Sequence, residues 1–484
     1  MMASGHQRPL TFGDLKAAGY RRRTVREELR DNLIRALESG ESLFPGILGY
    51  ETTVLPQVEN AILSGHDMIY LGERGQGKTR LIRSLVRLLD EWIPIVKGSE
   101  VHDDPFAPIS RHGLQLIAEH GDGTEIDWVR RDWRYAEKLA TPDTTAAELI
   151  GEIDPIKVAE GRYLSDELTI HYGMIPRANR GIFAINELPD LAEKVQVSLF
   201  NILEERDIQI KGYKIRLPLD VLVVASANPE DYTSRGRIIT PLKDRYSAHI
   251  RTHYPQERGV EIAVVAQEAA VAQRNDRKVI IPPFLQQIIA EITFQARRSP
   301  DVNQVSGVSV RMSINNMESL VSNAEKRAIR FKEIEIVPRI SDLVAIIATT
   351  DGKLELEYGA GDESQEQVIE RLIQKAVLAV FDEYIHVEEL DMLLATFQDG
   401  WWVEVSDILP AENYVKHLSQ VRGLKQGIER LNIGESHGEM AAAIEFILEG
   451  LHLHNKLNRE VREDRIVYDE ANKVQPLGRN PDMA

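Results

Sequence analysis

The chain has 484 residues, 43% apolar and 28% charged, which makes it a soluble-type sequence long enough for about three domains at roughly 150 residues each. No apolar run approaches the ~18–20 residues that cross a bilayer, and the absence of cysteine removes disulfides, thiolate metal sites and cysteine nucleophiles together. The net charge of −18 is unevenly placed, because residues 341–484 hold 28 acidic against 13 basic side chains, leaving the preceding body nearly neutral. That balance argues against general nucleic-acid or anionic-lipid binding, and reads as a solvated acidic surface. The first residues include Arg8 and Pro9 but no apolar core or small-residue cleavage site, so a cytoplasmic location is expected.

In chain order, Asp14 is a candidate cap for a short first helical turn ending at Gly19. Thr24 and Glu27 form a capping box for a longer helix with Val25, Leu29, Leu33, Ile34 and Leu37 along it. Gly40, Pro45 and Gly46 then break the chain. From about 46 to 255, strand and helix patterns alternate, the mark of an α/β layer fold. Met68–Leu71, Ile182–Ile185 and Val221–Ala225 are buried-strand candidates; 79–89 and 189–206 are helical, and Asp207–Leu217 has hairpin alternation. Helices follow at 260–273, 283–297 and 309–330. In the acidic region, Lys353–Tyr358 alternates like a strand, while 365–384 and 438–461 have helical spacing. The expected organisation is a helical extension at 1–43, an α/β nucleotide-binding domain at 44–255, a helical lid at 256–340 and an acidic, mainly helical domain at 341–484.

Gly72-Glu73-Arg74-Gly75-Gln76-Gly77-Lys78-Thr79 fits G-x-x-x-x-G-K-[ST] between a strand and a helix. Gly75 and Gly77 let backbone N–H groups curl around phosphate oxygens, Lys78 supplies a point charge to the β- and γ-phosphates, and the Thr79 hydroxyl suits Mg²⁺. About a hundred residues on, Ile182–Ile185 leads into Asn186 and Glu187. Glu187 suits a general base for the attacking water, whereas Asn186 stands where a metal-associated aspartate is usual and can hold a metal-bound water without adding charge. Asn228, in Ala225-Ser226-Ala227-Asn228-Pro229-Glu230, is placed to orient that water. Arg245 and Arg311 are candidate cations for the charge that grows on a transferring phosphoryl group.

The stretch from Phe44 to about Arg330 resembles an AAA+ ATPase of the magnesium chelatase ATPase-subunit type, related to MoxR-type ATPases. The resemblance is carried by Phe44-Pro45-Gly46-Ile47-Leu48-Gly49, the Gly72–Thr79 loop, Ala178-Asn179-Arg180-Gly181-Ile182-Phe183, Asn228-Pro229-Glu230 and Leu242-Lys243-Asp244-Arg245-Tyr246, in family order. It implies an AAA+ P-loop core with a parallel sheet flanked by helices, a helical lid and ATP with Mg²⁺ as ligands. It also implies Lys78 and Thr79 as Walker A, Glu187 as Walker B base, Asn228 as sensor 1, Arg245 as an arginine finger acting in trans and Arg311 as sensor 2. Gly161–Arg177 and Asp207–Leu217 would be partner-engaging insertions. The assembly implied is a homo-oligomeric, hexameric ring working on a protein client of the von Willebrand factor A or metal-inserting type. Asn186 departs from the family pattern, the region after 340 is longer than a chelatase ATPase subunit needs, and no D-x-S-x-S metal motif is present.

The thirteen histidines form no H-E-x-x-H pair, and His452 and His454 face apart on their expected helix. There is no G-x-S-x-G elbow. Trp401 and Trp402 read as core or docking packing. Three functional readings follow: an ATP-hydrolysing ring motor or remodelling chaperone; a nucleotide-switched binding protein with weak turnover, favoured by Asn186; and an AAA+ transcription regulator, which the missing G-A-F-T-G-A loop and the acidity disfavour. Under the switch reading, restoring aspartate at 186 strongly raises turnover.

Overall fold

Gly181–Asn186 and Val221–Ala227 are buried at every position, the pattern of strands covered on both faces. In the computed structural model they lie inside a five-stranded sheet. The structure describes residues 8–153, 169–209, 216–228, 236–271, 277–357, 364–462 and 465–471, with side chains 417–420 excepted. The sheet comprises β1 (Met68–Leu71), β2 (Tyr135–Leu139), β3 (Gly181–Asn186), β4 (Val221–Ala227) and β5 (Ala248–Arg251). Its order is β5-β1-β4-β3-β2, and every neighbouring pair is parallel. Met68 registers with Val224 and Ala248, Ala225 with Ile185, and Leu139 with Asn186.

Alternate residues of these strands serve two cores. Met68, Tyr70, Ile182, Ala184 and Val224 pack with Leu29 and Leu33 on one face, and Ile69, Phe183, Ile185, Val223 and Ala225 pack with Val195 and Ile202 on the other. Each fully buried aliphatic side chain contributes about 1.5–3 kcal/mol relative to exposure. The N-terminal segment joins the first core through α1 (Phe12–Ala17) and α2 (Val25–Ser39). The Thr24–Glu27 capping box of α2 is present, with Thr24 N–H donating to Glu27 Oε2 at 2.8 Å. Within α2, Glu28 forms a bidentate pair with Arg134, at 2.8 and 2.6 Å, and both side chains are buried.

The chain divides into two compact units, one ending at His253 and one beginning at Tyr254. The second is built from α5 (Arg258–Glu268), α6 (Pro283–Arg298), α7 (Arg311–Phe331), α8 (Gln365–Tyr384) and α9 (His437–Leu453), α4 being Thr240–Arg245 in the first unit. One continuous core links them from Val265 to Tyr468, with Phe284 stacked on Phe446 at 4.4 Å. A three-stranded antiparallel sheet, Val403–Val405, Arg465–Glu470 and Leu457–Arg462 in that order, adds to the acidic region.

Several local expectations are corrected. Thr11, rather than Asp14, caps α1: its side chain accepts from Asp14 N–H. Leu37 is exposed, because the buried face of α2 runs Val25, Leu29, Leu33, Ala36 and the next residue turns off it. The helix after the glycine loop is α3 (Lys78–Ser84), followed by a 3₁₀ turn at Leu85–Leu88. The 189–206 helix is two pieces, Glu193–Ser198 and Phe200–Glu204. Of the Lys353–Tyr358 strand expectation, the described residues 353–357 make a single bridge, Leu356 to Val302, beside a turn at 304–306, and Tyr358 lies outside the described residues. The 438–461 helix stops at Leu453, since Asn455 takes φ 58° and turns the chain into strand Leu457–Arg462. The 260–273 helix ends at Glu268. Trp401 and Trp402 are 40% and 57% exposed, which removes the core reading for both.

Candidate functional site

In a parallel sheet the carboxyl ends of all strands lie on one edge, where ligands of open α/β sheets bind. Here that edge carries the Gly72–Gly77 loop after β1, Glu187 after β3, Asn228 after β4 and Thr252 after β5. The loop is tied to its neighbours through the backbone: Gly72 N–H donates to Ala227 O at 3.2 Å, and Thr252 N–H to Leu71 O at 2.9 Å. Gln76 closes it from within, its Oε1 accepting from Glu73 N–H at 3.1 Å and from the Thr252 hydroxyl at 2.6 Å. The Tyr50 hydroxyl lies 2.6 Å from Gln76 O and 2.8 Å from His253 O, and burial pushes its pKa up to about 12.

Gly75 and Gly77 have φ 76° and 75°, the left-handed region open to glycine. A Cβ placed on Gly77 meets nothing within 4 Å, so the left-handed backbone, and no neighbouring atom, is what opposes a side chain there. Lys78 is 7% exposed, and its Nζ donates to Gly72 O at 2.5 Å and Glu73 O at 2.8 Å. The ammonium is thus stored against the loop's own carbonyls, within the same turn as Thr79. Because α3 has only seven residues, individual N–H groups and Lys78 carry more of the loop's positive potential than a long helix dipole would.

On the same edge, Glu187 adopts φ 53° and ψ 51°, an uncommon conformation for a residue with a side chain, and its N–H donates to Ser226 Oγ at 3.2 Å. Asn186 is buried with both ends of its amide committed: Oδ1 accepts from Ser226 Oγ at 3.2 Å, and Nδ2 donates to Glu137 Oε1 at 2.6 Å. Glu137, on β2, also accepts from Arg83 Nε and a terminal guanidinium nitrogen at 2.8 and 2.9 Å, and from the Tyr135 hydroxyl at 2.8 Å. The Arg83 hydrogen bonds, the largest cause, hold its carboxyl below the usual range.

The structure therefore brings Gly72, Glu73, Arg74, Gly75, Gln76, Gly77, Lys78, Thr79, Asn186, Glu187 and Asn228 to one sheet edge, with Asn228 1% exposed. Arg245 ends α4, held by Glu204 (Nε to Oε2 at 2.8 Å) and set over the Phe200 ring at 4.4 Å. Arg311 opens α7 in the second unit and is exposed. Pro229 and Glu230, Gly161–Ser165 with residues 166–168 of the first insertion, and 210–215 of the hairpin lie outside the described residues; the flanks of that hairpin, Asp207–Gln209 and Arg216–Pro218, pair antiparallel.

Among the described residues no group of three or more metal-ligating side chains exists. Sequence reasoning missed Tyr50, Ser226, Thr252 and Glu137. The first three act through neighbours distant in sequence; Glu137 had a local signal, a carboxylate between Tyr135 and Leu139, on a strand that was not recognised.

Residues 127–246 match the family described as AAA domain (dynein-related subfamily). The chain is 27% identical over 257 residues to the magnesium-chelatase subunit ChlI of Nostoc sp., covering 52% of this chain and 63% of the relative. It is 27% identical over 252 residues to the same-named subunit of Chlorella vulgaris, covering 48% and 64%. The chain thus spans less than two thirds of these curated relatives' length. A solved structure of the complex between subunits BchI and BchD of magnesium chelatase aligns at 18% identity with a TM-score of 0.35, covering 67% of this chain and 98% of that one. No helix among the described residues is long and apolar enough to cross a membrane.

Proposed function

We propose that this chain, an AAA+ protein similar to the ATPase subunit of magnesium chelatase, binds MgATP at the carboxyl edge of its first-unit sheet and hydrolyses it. In this reading it is one subunit of a homo-oligomeric ring, a hexamer by the resemblance, that remodels a protein partner. The observation that carries the proposal is the Gly72–Thr79 loop at the carboxyl edge of the sheet, with Gly75 and Gly77 in the left-handed region and Lys78 buried at its base. Lys78 would exchange two backbone carbonyls for phosphate oxygens, a charge-assisted contact stronger than the pair it leaves. Thr79 and the Asn186 region would face Mg²⁺, which when bound neutralises charge on the phosphates. Glu187 would take a proton from the attacking water, and Asn228 would hold that water in line. Arg245 would leave Glu204 for a neighbouring subunit's nucleotide, and Arg311 would report nucleotide state to the second unit.

By the resemblance, the partner is a von Willebrand factor A-type or metal-inserting protein; a cytoplasmic location is the expectation from the sequence composition. A second reading, a nucleotide-switched binding protein with weak turnover, is favoured by one observation: the Asn186 amide is committed to Glu137 and Ser226. Steady-state MgATP hydrolysis per subunit across a wide protein concentration range, beside Glu187→Gln, separates the two. Specific activity that climbs with concentration and drops about 10²–10⁴-fold in the variant supports the ring motor. ATP binding without turnover at any concentration supports the switch.

A further inference from the structure

We infer that the negative charge of the Mg²⁺ site stands one strand away from its expected position: Glu137 on β2, tied to Asn186 on β3, is the carboxylate that holds the Mg²⁺ of bound MgATP. The inference rests on the MgATP reading above and names the residue that completes its metal site.

Four observations support it. Glu137 pairs across the ladder with Ala184, and Asn186 is two residues further along β3, so the two side chains share one face of the sheet as diagonal neighbours. They meet at 2.6 Å, amide to carboxylate. An aspartate at 186 would bring two carboxylates to that separation, so the amide at 186 and the carboxylate at 137 form a compatible pair in which the charge has changed strands. Arg83 ties Glu137 to α3, the helix that follows the nucleotide loop: it is four residues beyond Thr79 on α3, hence on the same helix face, and helical side chains lean toward the N-terminus. The carboxylate that Arg83 grips therefore lies on the Thr79 side of the helix.

Arg83 does not block the role. Its side chain is 63% exposed against 19% for Glu137, and because it grips the carboxylate through two hydrogen bonds it can yield one oxygen to the metal while keeping the other. Asn186 and Tyr135 keep the carboxylate oriented meanwhile. Mg²⁺ retains several of its waters, so Glu137 can act by accepting from a metal-bound water as well as by direct contact.

The test measures equilibrium binding of radiolabelled ATP to the full chain, with Mg²⁺ and with EDTA, for the parent, Glu137→Gln, Asn186→Asp, the double variant and Arg83→Ala. Each is also melted without nucleotide. The quantity read is the gain in ATP affinity that Mg²⁺ confers. Glu137→Gln is expected to cut that gain about 10–100-fold while the EDTA affinity stays within about twofold. Asn186→Asp alone lowers the melting temperature and does not raise the gain. The double variant keeps one amide and one carboxylate, and returns the gain to within about threefold of the parent. Arg83→Ala, at an exposed position, raises the gain about 2–5-fold by releasing the carboxylate.

An undiminished gain in Glu137→Gln overturns the inference, as do equal losses with and without Mg²⁺, which mark a structural tie. A stronger gain in Asn186→Asp alone overturns it too. If the parent binds ATP under neither condition, the nucleotide reading itself fails, a result distinct from any of these.

Discussion

Replacing Gly77 by alanine separates two jobs of one residue, its backbone conformation and the space above it. At φ 75° an added Cβ costs about 1–2 kcal/mol in the left-handed region, but it meets nothing within 4 Å in the protein. The nucleotide-free variant should therefore fold normally, with its first-unit transition lowered by about 2–8 °C at roughly 2–4 °C per kcal/mol. MgATP at about a hundred times its dissociation constant stabilises the parent by about 2.7 kcal/mol, a rise of roughly 5–11 °C. In Gly77→Ala that rise should vanish if, as the MgATP reading requires, the open side of Gly77 is where phosphate oxygens sit. Gly72→Ala is the contrasting control: its Cβ would lie 1.9 Å from Thr252 Oγ1 and 2.2 Å from Gln76 Oε1, so its damage appears before any nucleotide is added. Thermal unfolding followed by tryptophan fluorescence, with and without MgATP, reads all three proteins. An undiminished MgATP-induced rise in Gly77→Ala would refute the placement of phosphate over this loop.

Three further predictions concern the same unit. Arg134→Met leaves Glu28 buried beside the Asp90 N–H without its guanidinium and should cost about 3–5 kcal/mol in urea unfolding, most of which Arg134→Met/Glu28→Leu should recover. Because burial raises the Tyr50 pKa to about 12 from 10.0, the unfolded chain loses that proton first; the stability Tyr50 contributes is complete below pH 10 and is lost as pH rises toward 12. The fall in unfolding free energy between pH 9 and pH 12 should accordingly be smaller in Tyr50→Phe by up to about 2–3 kcal/mol. Arg245→Ala should leave ATP binding by a subunit intact and lower concentration-dependent turnover by about 10³-fold, measured by phosphate release.

How much of this was written in the sequence depends on the distance over which each contact is made. The phosphate loop was fully legible because its chemistry is local: six residues between one strand and one helix set its conformation, and glycine, lysine and threonine announce their roles by type. The buried strands β1, β3 and β4 were legible for the same reason, as short apolar runs. Elements whose ends are set by tertiary partners were not. The 438–461 pattern continued in apolar spacing past Leu453, but strand Arg465–Glu470 captured the chain after Asn455, and pairing outweighed helical propensity.

The candidate site divides along the same line. Asn186 stood out in the sequence only as a missing charge, because a motif aligns residues along one strand and says nothing about the next. In the structure, β2 lies beside β3 with Leu139 opposite Asn186, and parallel registration carries Glu137 to the amide. The charge that looks deleted along the chain is present across the sheet. A substitution within a strand motif is therefore better judged with the neighbouring strand in register: an amide that receives a carboxylate from its neighbour is electrostatically different from an amide alone. Since removing either member of such a pair changes the field on the other, Asn186 and Glu137 should behave as one unit in any mutational series, with coupling that single substitutions cannot apportion.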